Sequence, residues 1–269
     1  MKTTPPSPRA SRVARTADKP LAGFAYSRAQ FQDLVTQALS HARRLGATDA
    51  GAEASEGCGL SVSVRKGALE TVERNRDKSL GVTVYLGQRR GNASTSDFSK
   101  AAIERTVQAA YDIARFTAED PAAGLPDAKD IAKKYPDLDL FHPWEVSSEQ
   151  AAELALRCEA AAFDTDARIR NSEGAGVSAQ QSHFYSAHTR GFAGGYASSR
   201  HTLSVAPIAG EGDDMLRVAG LITEIGRTPE NAIRAEAAVR SSDRRRQRIP
   251  PRPMLPCPIA CTPSQSAAP

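Results

Sequence analysis

The sequence predicts an α+β protein: two layers of antiparallel sheet with helices packed on one face, flanked by disordered N- and C-terminal tails. Segments with apolar residues at helical spacing and their own cap signals alternate with segments in which apolar residues recur at every second position. The strand-like segments follow one another through short turns, which favours antiparallel pairing over crossover connections. Both chain ends lose all periodicity and fill with proline and arginine. With 269 residues, 40% hydrophobic and 25% charged, the chain has room for one large core or two small ones.

Residues 1–25 are expected to be a disordered leader. "MKTTPPSPRASRVARTADKP" is basic but has no apolar run of the kind a secretory signal needs, and its prolines break an amphipathic helix. A first α+β unit is expected over 26–118. "YSRAQFQDLVTQALSHARRLG" reads as a helix, with Ser27 and Gln30 in capping-box spacing and Gly46 as the stop. Phe31, Leu34, Val35, Ala38, Leu39, Ala42 and Leu45 form its apolar stripe, and His41 lies at the boundary. In "GLSVSVRKGALETVERN", Leu60, Val62 and Val64 alternate with serine, and "KGA" supplies a turn. Leu80, Val82, Val84 and Leu86 alternate in the next strand, with "GQRRG" as the hairpin tip. A second helix follows, with Ser99 as N-cap and Ile103, Val107, Ala110 and Ala114 facing inward.

Residues 119–146 form a Pro-rich connector, expected to pack through Leu138, Leu140, Phe141 and Trp144, with His142 at a packed corner. A second α+β unit is expected over 147–215. Its helix starts at Ser147, with Gln150 completing another capping box, and carries Cys158 on its inner face. Strands follow, bent by Gly191, Gly194 and Gly195. Residues 216–269 are expected to be an aberrant tail, apart from a helical pattern in "TPENAIRAEAAVR" that starts at Thr228.

"SHFYSAHTRGFAGGYASSRH" (182–201) holds three of the five histidines. His183, His188 and His201 are the weak candidates for a metal site. In a regular strand His183 and His188 point to opposite faces, and His201 lies beyond a turn. No histidine is followed by glutamate, so no helical His-Glu pair supplies ligand and base. The three histidines are therefore expected on a polar sheet face, with no catalytic, cofactor-binding or metal-ligating residue in the chain. The acids Asp213 and Asp214 in "GEGDD" read as a solvated turn.

Net charge is +4, and much of the excess sits at the ends, so no nucleic-acid partner is expected. No membrane partner is expected either, because no apolar run approaches the ~20 residues a spanning helix needs. Cys58, Cys158, Cys257 and Cys261 form no CxxC pair, which suits reduced thiols and a cytoplasmic location.

"LSVSVRKGALETVE", "SLGVTVYLGQRRGNASTSDFSKAAIERTVQAAYDIARFTAEDPAAGLPD", "PDLDLFHPWEVSSEQAAELALRCEAAA" and "RIRNSEGAGVS" together resemble the PmbA branch, also called TldE, of the TldD/PmbA metallopeptidases. The resemblance runs from about residue 28 to about residue 215. It implies a subunit that pairs with a TldD-type chain. That partner carries the His-Glu-x3-His motif and a zinc or other divalent metal, and the pair cuts unfolded peptides. This chain lacks the motif, so the resemblance implies a non-catalytic partner. Family members are longer, with a C-terminal β-rich domain that has no counterpart here, so a truncated subunit with a frameshifted tail is expected. The alternatives are a peptide-binding or scaffolding module without a proteolytic partner, and a gene relic without function.

Overall fold

Side-chain caps fix where the helices begin. The computed structural model describes residues 20–210 and the backbone of residues 216–217 and 220–225. Helix α1 spans Arg28–Arg44: Ser27 Oγ accepts from the Gln30 N–H (3.2 Å), and Gln30 Oε1 accepts from the Ser27 N–H (2.7 Å). Gly46, at φ +91°, takes the chain out of the helix. Helix α2 spans Lys100–Phe116 and is capped by Ser99. Helix α3 spans Ser148–Phe163 and repeats the reciprocal box with Ser147 and Gln150. All three starts lie where the sequence places them.

The strands are longer than their alternating apolar runs. They are β1 (Asp49–Arg65), β2 (Ala68–Leu86), β3 (Arg89–Thr95), β4 (Ile169–His188), β5 (Ala193–Gly194), β6 (Ala197–Ala209), β7 (Leu216–Arg217) and β8 (Gly220–Ile225). The last two fall within the stretch expected to be an aberrant tail; the expected helix from Thr228 lies outside the described residues. β1 and β2 form one long hairpin through Lys66 and Gly67, both at positive φ (51° and 77°).

The strands run in the order β3-β2-β1-β4-β6-β7, with β5 pairing with β4 and β8 with β6. All pairings are antiparallel. β1 of the first expected unit pairs with β4 of the second from Gly51 opposite His188 to Val64 opposite Ala175. The two units therefore share a single sheet.

Each unit keeps its own core. Phe31, Val35, Ala38 and Ala42 of α1 and Ile103, Val107, Ala110 and Ala114 of α2 lie over Ala50, Ala52, Ala54, Leu80, Val82 and Val84. Ala151, Ala155, Cys158 and Ala162 of α3 lie over Leu60, Val62, Val64, Ala175, Val177, Leu203 and Val205. The core residues of β1 are even-numbered in both clusters, so all three helices cover one face of the sheet. Gly91 marks the closest approach of strand and helix: a Cβ there would lie 2.0 Å from the Ala110 carbonyl oxygen.

The connector is tied to the second unit by its backbone. Leu140 O accepts from the Ser199 N–H (2.9 Å), and Ser199 Oγ accepts from the His142 N–H (2.8 Å). Phe141 stacks on Phe24 and Trp144 meets the edge of His201. Leu138, expected to pack, is 61% exposed, and the next residue, Asp139, takes a left-handed backbone conformation (φ 49°). Phe24, within the stretch expected as a leader, is buried. No helix among the described residues is long and apolar enough to cross a membrane.

Candidate functional site

Between the two cores the helix-covered face of the sheet turns polar, and Glu56 stands at its centre. Glu56 is 1% exposed. Its carboxylate accepts from the backbone N–H of Ala25 (3.0 Å) and of Tyr26 (3.0 Å) and from Arg76 Nη1 (2.5 Å). His183 Nε2 lies 3.5 Å away on β4, directly opposite in the ladder. Burial pushes the carboxyl up, but the two backbone donors, Arg76 and His183 more than offset this and hold it below the usual glutamate range. Buried charge is tolerated here because every partner is in place. The result is a clamp that fastens the segment ahead of α1 to the middle of the sheet. Arg76 Nη2 strengthens it by donating to Gly23 O (2.8 Å).

His183 is enclosed by rings, with the Phe24 and Phe31 centroids 4.2 and 4.5 Å from its own. Burial lowers its pKa and the adjacent Glu56 only partly restores it, so the imidazole is neutral near pH 7.

Beside the clamp lies a cleft of about 620 Å³. Cys58, Leu60, Ala179, Gln181 and His201 form its floor, Gly23 and the stretch Pro143–Ser147 its walls, and Arg74, Asn75 and Arg76 of β2 its mouth. Gly23 has φ +89°, a backbone conformation that favours glycine in this wall, and a Cβ there would push the Gln181 side-chain amide aside. His201 Nε2 donates to His142 O (2.9 Å), and its Nδ1 is buried with no hydrogen-bond partner among the described residues. Cys58 Sγ lies against Gly23 O and Gln181 Nε2 rather than a base, so the cleft holds no thiol–imidazole pair.

The three candidate histidines do not meet. His183 and His201 were expected on a polar sheet face, but they lie on the helix-covered face at 5% and 6% exposure. Aromatic neighbours and the connector cover a polar residue there as readily as an apolar one. His201 pairs with Ala179, four positions along β4 from His183, or about 13 Å at the rise of a strand. His188 lies on the opposite face, stacked on Phe192 with Nδ1 accepting from the Arg190 N–H. Burial lowers its pKa, against the pull of Asp49. Among the described residues no three histidine, cysteine or acidic side chains converge as a metal site requires. The oxygens of Glu56 are already held by other donors. The described residues therefore do not fit the metal that the resemblance associates with the partner chain.

The sequence reading missed Glu56 altogether, because "DAGAEASEGC" is rich in alanine and glycine and lacks β-branched residues. Its signal was present: Ala50, Ala52 and Ala54 alternate, and Glu56 continues the inward-facing series.

The profile of PmbA/TldA metallopeptidase domain 1 matches residues 52–114, and that of the PmbA/TldA metallopeptidase central domain matches residues 141–238. The metalloprotease PmbA of Escherichia coli O157:H7 is 48% identical over 188 residues, which are 68% of this chain and 42% of that protein. The chain thus matches less than half the length of this curated relative. Among solved structures, a candidate modulator of DNA gyrase from Bacteroides thetaiotaomicron superimposes with a TM-score of 0.66 at 21% identity, covering 77% of this chain and 49% of that one. TldE from Thermococcus kodakarensis superimposes with a TM-score of 0.58 at 10% identity, covering 79% and 46%. These two structures share the fold.

Proposed function

Because this chain belongs to the PmbA/TldD metallopeptidase family, we propose that it is a PmbA/TldE-type subunit, which pairs with a TldD-type metallopeptidase chain and helps it process unstructured peptides without a hydrolytic centre of its own. The observation that carries this reading is the use of the buried polar groups. Glu56, the one carboxylate set beside a buried histidine among the described residues, is engaged by backbone donors and Arg76 in fastening the chain ahead of α1. A general base needs a free lone pair aimed at a substrate or a water, and this carboxylate has its oxygens directed into the fold. Zinc or another divalent metal would belong to the TldD-type chain. A cytoplasmic location is part of the same proposal, supported by Cys58 and Cys158, which stand as thiols rather than in a disulfide.

The test is to express the full chain alone and together with a TldD-type chain, followed by size-exclusion chromatography and cleavage of an unstructured peptide with and without chelator. A heterodimer with chelator-sensitive cleavage, and an inert single chain, are expected. Chelator-sensitive cleavage by this chain alone overturns the non-catalytic role. Two chains that elute separately overturn the subunit role.

A further inference from the structure

The outer edge of β2 is open along much of its length. β3 pairs with β2 only over Leu80–Leu86, so from Ala68 to Ser79 the outer backbone groups have no strand partner among the described residues. That is about 40 Å of free edge. Residues 68–77 are exposed without a break.

The two faces of this edge carry opposite charge. Val72, Arg74, Arg76 and Lys78 lie opposite Val62, Leu60, Cys58 and Glu56, on the helix-covered side. Glu73, Asn75 and Asp77 lie opposite Ser61, Gly59 and Gly57, on the uncovered side. Edge-to-edge antiparallel pairing of two copies about a two-fold axis keeps like faces together. It would set the cationic row against itself and the acidic row against itself, which disfavours a second copy. A strand with the reverse pattern is favoured.

We propose that the Ala68–Ser79 edge of β2 binds an extended peptide by strand addition, and that it selects peptides with acidic side chains at alternate positions, directed over Arg74 and Arg76 at the mouth of the cleft. Main-chain hydrogen bonds along the edge supply affinity, and the alternate side chains supply selection. Arg74 is the group best placed to select. Arg76 is already bound to Glu56, and Lys78 donates to Tyr26 Oη (2.8 Å), whereas the Arg74 guanidinium makes no hydrogen bond to the described residues and has Glu149 as a nearby charge. This inference names the peptide chemistry and rests on the peptide-handling reading above for its purpose.

The test uses the full chain and labelled nine-residue peptides of alternating threonine and glutamate, followed by fluorescence anisotropy. The controls carry lysine for glutamate, or N-methyl groups on alternate backbone nitrogens. The glutamate peptide is expected to bind at least about tenfold more tightly than the lysine peptide, and Arg74→Glu to remove about tenfold of that affinity. Added salt weakens binding, the N-methylated peptide fails to bind, and the amides of residues 68–79 gain protection from hydrogen exchange on binding. Equal binding of the two charge types, or binding without protection of this edge, overturns the inference. So does a homodimer that protects the same amides, or protection that appears only with a TldD-type chain. If the peptide binds as described but no heterodimer forms, the subunit reading fails and this one stands. An active heterodimer whose β2 edge binds no peptide leaves the subunit reading standing and overturns strand addition.

Discussion

Glu56 and His183 face each other across the β1–β4 ladder, Oε2 to Nε2 3.5 Å, and the segment ahead of α1 is fastened to the same carboxylate. Both groups hold pKa values below their ordinary ones, and both therefore make the fold sensitive to acid. The depressed carboxyl stabilises above its unfolded value near 4.5 and loses that contribution as pH falls through the lower folded value. The histidine stays neutral in the fold while the unfolded chain takes up a proton, so its contribution declines once pH drops below about 6.5. Arg76 and Lys78 face Glu56 from β2. The urea midpoint is expected to be level above pH 7 and to fall continuously from about 6.5 toward 4. Glu56→Gln should lower the midpoint at pH 7 by about 2–4 kcal/mol of stability and flatten the acid end of the curve. A midpoint that is constant from pH 7 to pH 4 in the parent chain contradicts this account.

Gly91 and Gly81 are both strand glycines that the sequence does not distinguish. A Cβ on Gly91 would meet the Ala110 carbonyl and the Ala114 nitrogen at 2.0 and 2.5 Å, whereas one on Gly81 meets nothing within 4 Å. Gly91→Ala is expected to cost about 1–3 kcal/mol or more by pushing α2 off the sheet. Gly81→Ala is expected to stay within about 0.5 kcal/mol of the parent. Thermal melts of the two variants make the comparison, and equal shifts refute the close-approach reading.

Much of this fold was legible because its signals are local. Ser27 with Gln30, Ser99, and Ser147 with Gln150 announce helix starts through hydrogen bonds that span three residues. The alternation in "LSVSV" and "LGVTVYL" marks half-buried strands in the same way. The pairing of β1 with β4 was not legible, since it joins residues far apart in the chain and depends on tertiary packing. For the same reason Asp49–Cys58 escaped notice as a strand: alanine and glycine are poor strand formers, and only helices packed close above them explain their presence there. The cleft is the least legible feature, because its floor is drawn from three strands and its walls from two loops.

Glu159 performs at the far end of the sheet what Glu56 performs at the centre. It is 1% exposed on α3, and its two oxygens accept from the N–H groups of Lys66 (3.0 Å) and Gly67 (2.9 Å) at the hairpin tip. Lys66 is a non-glycine residue at φ +51°, a conformation that needs external support. Glu159→Ala is expected to cost about 1–3 kcal/mol and to raise the exchange rate of amides near Lys66 more than those in the first core. Lys66→Gly should recover part of the loss by relieving the backbone. If Glu159→Ala leaves the tip amides unchanged, the anchoring role is wrong.

Ser199 ties the connector to β6 through three hydrogen bonds: its own N–H to Leu140 O, the His142 N–H to its Oγ, and a longer one (3.5 Å) from its Oγ to Leu140 O. Ser199→Ala keeps the first and removes the other two. It leaves the His142 N–H without its partner beside position 199, where Ser199 is 1% exposed, at a cost of about 1–2 kcal/mol. The effect should centre on the wall of the cleft, because His201 bonds to the carbonyl of the same His142 and packs against Trp144. Trp144 is the single tryptophan of the chain, so its fluorescence reports this wall alone. Ser199→Ala should shift its emission to longer wavelength as water reaches the indole, and should speed amide exchange over residues 140–146. Ser198→Ala, one position away on the uncovered face, should leave both readings unchanged. An emission maximum that does not move in Ser199→Ala, with stability lowered all the same, would place the loss in β6 and not in the connector.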